Sequence, residues 1–201
     1  LIAAKVNKDI QVYAFDPSRA SNYYLNQNIE LNKLDKNIHA YNYALSDVTG
    51  TLDFFEVKSH KYSYLKYNLG GSSSLYNKPK DFEKYTVKCY ALDDFLQEQN
   101  LLNQPIDFVK IDAEGAEPQI IKGMGKTIEK YKPVIVCEIL FNLIENDLEN
   151  AFKKHGYQAY FHEGDKLVPV STIIRNEDNG IKNCFFIHPD KRFLLEKYIQ
   201  D

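Results

Sequence analysis

The chain has 201 residues, 44% of them hydrophobic and 26% charged, which is enough apolar material to bury a sizeable core as one domain and excludes intrinsic disorder. A net charge of −3 with no dense basic stripe argues against a nucleic-acid partner. No apolar run approaches the ~20 residues of a membrane span and no signal peptide opens the sequence.

In chain order, Leu1 to Val6 reads as the last turns of a helix whose start lies upstream, so the chain is expected to begin mid-domain. Gln11 to Phe15 is a short strand ending at Asp16-Pro17, and Ser18 caps a helix running to about Lys33. Ile38 to Leu45 and the aromatic run Thr51 to Val57 read as two strands joined through Ser46, Asp47 and Gly50 into a hairpin. Periodicity fades from Ser59 to Lys80, where Gly70 to Ser74 predicts a flexible segment, either a substrate lid or a solvated loop. A half-exposed strand follows at Tyr85 to Tyr90, then a helix from Leu92 to about Asn100.

Ile106 to Ile111 has the length and branched content of a strand buried on both faces, and Pro118 to Lys130 reads as the next helix, weakened by Gly123 and Gly125. Asp112, Glu114 and Glu117 fall at the joint, where open α/β sheets bind ligands. They serve either chemistry or simple helix capping. Val134 to Leu140 is a further apolar strand, with Glu138 level with Asp112 if the two are parallel neighbours; a carboxylate there needs a partner or a role. A helix over Leu143 to Lys154, strands at Tyr157 to Phe161 and Asn183 to His188, irregular loops over Glu163 to Lys182 and a terminal helix from Lys191 complete the chain. The alternation predicts a doubly wound, mostly parallel α/β sheet with helices on both faces and an antiparallel last strand. Cys89, Cys137 and Cys184 are an odd, widely spaced set that fits reduced core thiols and a cytoplasmic location.

Three stretches, Val12 to Pro17, Ala44 to Asp47 with Gly50 behind, and Ile106 to Glu117, resemble the FkbM family of S-adenosylmethionine-dependent methyltransferases in order and spacing. Leu92 to Phe95 and Pro133 to Glu138 extend the resemblance. It implies a Rossmann-like methyltransferase sheet, S-adenosylmethionine as cofactor and O-methylation of a sugar, polyketide or related small hydroxyl compound. Asp16 falls where a carboxylate accepts hydrogen bonds from the cofactor ribose, a place the family usually fills with Glu, and Pro17, Ala44, Leu45 and Ser46 fall around it. Asn28 matches an Asn common in the family, although a helix-surface amide explains it equally. Asp112 is placed with both the cofactor and the acceptor, and Asp112 and Glu114 are the first candidates for taking or orienting the acceptor proton, with Glu138 third. The sequence presents no compact ligand cluster, so no metal is assigned. His39, His60, His155, His162 and His188 are other possible bases, none beside a recognisable motif. The family's first strand and its glycine-rich turn do not precede Leu1. That absence keeps open a second reading, a catalytically silent methyltransferase-like binding or scaffold module.

Overall fold

The computed structural model describes residues 1–57 and 82–200; the Ser59–Lys80 segment, with Gly70–Ser74 and His60, lies outside the described residues. The chain divides into two compact units, Leu1–Tyr90 and Ala91–Asp201. Each is mixed α/β or β-rich, built from both parallel and antiparallel pairing.

In the first unit, helix α1 (Ile2–Val6) precedes strand β1 (Val12–Phe15), helix α2 (Arg19–Leu31) and strand β2 (Ile38–Tyr41). β1 and β2 pair in parallel, Val12 with Ile38 through Phe15 with Tyr41. Alternation sends Val12, Ile38 and Ala40 to one face, where they pack with Ala4, Leu25, Ile29 and Leu34. α2 starts where the sequence places its cap, with the Ser18 hydroxyl accepting from the Ser21 N–H at 3.0 Å.

The expected hairpin does not form. The chain leaves β2 at Asn42, whose side-chain amide donates to the carbonyls of Asp16 (2.9 Å) and Ser18 (3.3 Å), and after Tyr43 a separate strand forms, β3 (Ala44–Ser46). Strand β4 (Gly50–Val57) then pairs over its whole length with β5 (Phe82–Ala91), giving a sheet of order β3-β5-β4 around Ala44, Phe54, Val87 and Cys89. A long antiparallel partner offers β4 more ladder bonds than the short β3 can.

The second unit begins with α3 (Leu92–Glu98) and carries a five-stranded sheet of order β6-β7-β10-β8-β9. β6 (Phe108–Ile111) and β7 (Val134–Glu138) are parallel, and β10 (Asn183–Ile187) runs antiparallel to both β7 and β8 (Gln158–Glu163). The antiparallel last strand expected from the sequence is therefore present. Among the described residues β6 is an edge strand of this sheet, and Phe108 is 58% exposed where burial on both faces was expected; β7, paired on both sides, buries Val134 to Cys137. The Glu163–Lys182 region is not wholly irregular: Gly164, at φ 60°, turns the chain into β9 (Lys166–Val170), which pairs with β8. Pro169 hid this strand, because proline reads as a strand breaker, yet an edge strand tolerates its missing N–H.

The helix after β6 is two helices, α4 (Glu117–Gly123) and α5 (Gly125–Tyr131), broken at the buried Met124 between the two glycines. Asp93 of α3 supplies the cap that α5 lacks locally, accepting from the N–H groups of Lys126 and Thr127 at 2.8 and 3.0 Å. α6 (Glu145–Lys154) follows β7 as expected. In place of a terminal helix from Lys191 there are two short 3-10 turns, Pro189–Leu194 and Glu196–Tyr198; Phe193 and Leu194 stay exposed, so no apolar face anchors a longer helix. Among the described residues no helix is long and apolar enough to cross a membrane.

Candidate active site

The parallel register of β6 and β7 sets Ile111 opposite Cys137, so the next residues, Asp112 and Glu138, leave the sheet side by side at its carboxyl end. Asn183, the first residue of β10, stands opposite Glu138. Lys110 reaches over β7 into this row. Its ammonium donates to Asn183 Oδ1 at 2.7 Å, to Asp112 Oδ2 at 3.1 Å and to the Ile111 carbonyl at 3.2 Å.

The loop to α4 turns through two successive left-handed residues, Glu114 at φ 50° and Gly115 at φ 103°. Glycine adopts this conformation freely, whereas at Glu114 it costs about 1–2 kcal/mol. The loop is held from below by Glu117. This carboxylate is fully buried and accepts from the N–H groups of Ala113 (2.6 Å) and Gly115 (2.9 Å). Glu117 therefore shapes the loop that presents Asp112 and Glu114, and burial pushes its carboxyl above the ordinary value.

One carboxylate oxygen each from Asp112, Glu114 and Glu138 lie within 4.8 Å of one another. The sequence separation of these residues concealed a compact oxygen-ligand set, of the kind hard divalent cations take, and the sheet register creates it. Glu138 is the most perturbed member: its Oε2 is buried with no hydrogen-bond partner among the described residues. Burial first, then repulsion from Asp112, Glu114 and Glu117, pushes its carboxyl up to about 7, against the opposing pull of Lys110.

Past Glu138, at this same end of β7, the chain runs into residues 139–144, which Arg175 clamps to residues 171–182. Its guanidinium, 6% exposed, meets the 3% exposed Glu145 at 2.6 Å and also donates to the carbonyls of Ile181 (2.6 Å) and Ile139 (3.3 Å). Nothing local in the sequence marks Arg175, Lys110 or Asn183, because the bonds that decide their places, Arg175 to Glu145 and Lys110 to Asn183, join residues distant in the chain.

In the first unit, Asp16 ends β1. Its carboxylate accepts from the Ser18 N–H at 2.9 Å and its pKa is raised, chiefly by burial. Two carboxylate oxygens offer more lone pairs than this local bonding consumes, so the group fits the vicinal hydroxyls of a ribose. Beside it, Ser18 donates to Glu56 Oε1, Tyr85 donates to Glu56 Oε2 at 3.0 Å, and the Arg19 guanidinium lies 4.0 Å from the centre of the Tyr85 ring. Glu56 thus places a negative charge at the start of α2, where the helix dipole favours it. The Pro17 carbonyl accepts from Tyr85 at 3.4 Å, Ala44 and Ser46 are buried, Leu45 is half-buried, and Asn28 is exposed on α2. His39 is engaged with Gln11 at 2.9 Å and His188 accepts from the Asp190 N–H at 3.1 Å. All three cysteines are free and buried, with Cys89 pushed up to about 11 and Cys184 to about 12 by desolvation.

The model of the methyltransferase FkbM domain matches residues 1–159. The chain belongs to the FkbM methyltransferase family. The crystal structure of the methyltransferase FkbM from Methylobacillus flagellatus KT is similar in fold, with a TM-score of 0.56 at 15% sequence identity, covering 92% of this chain and 39% of that one. This FkbM-family chain thus spans well under half the length of that neighbour, and no curated protein matches it.

Proposed function

We propose that this FkbM-family chain is an S-adenosylmethionine-dependent O-methyltransferase with a doubly wound, Rossmann-like core, acting in the cytoplasm on a hydroxyl of a sugar, polyketide or related small molecule. The observation that carries the reading is the carboxylate row at the end of β6 and β7, in a chain of a methyltransferase family. S-adenosylmethionine, when bound, supplies a methyl group activated on a sulfonium. Asp16 binds the ribose hydroxyls, with Pro17, Ala44, Leu45 and Ser46 as neighbours of the adenosine. Asp112 and Glu114 orient the acceptor hydroxyl by accepting hydrogen bonds. Glu138, whose carboxyl titrates at about 7, takes the proton. The buried, unpaired thiols support a reducing compartment.

Calorimetric titration with S-adenosylhomocysteine tests the reading. The unaltered chain is expected to bind. Asp16→Ala, with its fold intact by circular dichroism, is expected to bind roughly 10- to 100-fold more weakly, the loss of ~1.5–3 kcal/mol typical of hydrogen bonds to a charged group. Equal affinity in both proteins removes Asp16 from the cofactor site, and no binding by the unaltered chain favours the silent module.

A further inference from the structure

The Asp112, Glu114 and Glu138 carboxylates have the spacing of a divalent-cation site, yet the chain brings a cation of its own to the row. An ammonium has three donors, and those of Lys110 are all engaged: with the strand end at Ile111, the carboxylate of Asp112 and the amide of Asn183. The reach to Asn183 matters. β6 and β10 are not neighbours, so the side chain must cross β7 to make this bond, and on that path its positive charge stands 3.1 Å from the Asp112 carboxylate at the edge of the row. Asn183 accepts without adding a further negative charge.

We propose that Lys110 is the built-in counter-cation of the Asp112–Glu114–Glu138 row, a positioning residue that fixes the Asp112 carboxylate and fills the electrostatic place a divalent cation would otherwise take. The inference rests on reading this row as the acceptor end of a methyltransferase site. Its physical consequence is independent of turnover: a divalent cation approaching the row meets the repulsion of the ammonium, and removing that charge opens the row to metal.

Manganese titration, followed by calorimetry and by water-proton relaxation, reads this directly at about pH 8, where carboxyl groups are largely ionised. The unaltered chain and Lys110→Arg, which keeps the charge, are expected to bind Mn²⁺ weakly. Lys110→Met is expected to bind it at least ~10-fold more tightly, since both the repulsion and the competition for Asp112 are gone. Comparable Mn²⁺ affinity in the unaltered chain and Lys110→Met overturns the proposal, as does a failure of every variant to bind. Should Lys110→Met not fold, Lys110→Gln provides the same loss of charge with a polar side chain. Tightening in Lys110→Arg equal to that in Lys110→Met assigns the effect to lost packing and likewise overturns it. S-adenosylhomocysteine titration of the unaltered protein, run alongside, separates failure of the methyltransferase reading from failure of this one.

Discussion

Glu138→Gln is expected to lower methyl transfer by ~10²–10⁴-fold, the usual contribution of a general base, while leaving S-adenosylhomocysteine affinity nearly unchanged. Glutamine keeps the shape of the side chain and cannot accept the acceptor's proton. We choose Glu138 over Asp112 and Glu114 because its Oε2 is buried without a hydrogen-bond partner among the described residues and its carboxyl is pushed up to about 7, a range that suits a general base near neutral pH. The base acts ionised, so the rate should rise with pH through about 7 and then level off. Initial rates against pH, using an acceptor found by screening hydroxyl compounds, check both points. A Glu114→Gln variant that loses turnover while Glu138→Gln retains it would transfer the role to Glu114. Stability should move the other way. Because the folded state raises this carboxyl from 4.5 to about 7, ionising it opposes folding; the penalty is complete above about 7 and vanishes below 4.5. Glu138→Gln should therefore melt above the unaltered protein in alkaline buffer, with the gap closing as the pH falls.

Arg175→Met is expected to destabilise the protein by ~3–5 kcal/mol, read as a fall in the denaturant midpoint with unchanged m-value. The cost comes from what remains: Glu145, 3% exposed, would keep among the described residues the Asn142 N–H at 3.0 Å as its hydrogen-bond partner, and the carbonyls of Ile139 and Ile181 would each lose a donor. Pairing the change with Glu145→Leu removes the stranded charge and should recover much of the loss, since a buried ion pair exchanged for apolar groups of similar volume is often neutral. A single variant within ~0.5 kcal/mol of the unaltered chain would class the pair with ordinary surface substitutions.

The family and the alternating α/β plan were legible because they rest on local patterns: apolar runs, the Ser18 cap, and the carboxylate-glycine run behind Ile111. Where the structure departs from expectation, partner choice decided. β4 takes β5 because that ladder is longer, and β9 accepts Pro169 because it lies at an edge. The carboxylates of the site were visible as residues, but their convergence depends on the β6–β7 register, and the roles of Lys110, Asn183 and Arg175 depend on contacts made far along the chain. Glu117 is the instructive case. It sits among the same acidic residues in sequence, and only its burial and its two bonds to loop N–H groups show that it builds the site's floor.

β10 lies beyond residue 159, where the family match ends, yet it is threaded between β7 and β8 and is the strand that joins them. On the ribosome, β7 and β8 must therefore wait with their facing edges unpaired until Asn183–Ile187 emerges, which delays closure of the sheet. A shortened protein cut at the end of the matched region would carry that vulnerable state permanently, with edges open to association between copies. The C-terminal segment is thus the closing stitch of this sheet, and its loss should show first as poor solubility.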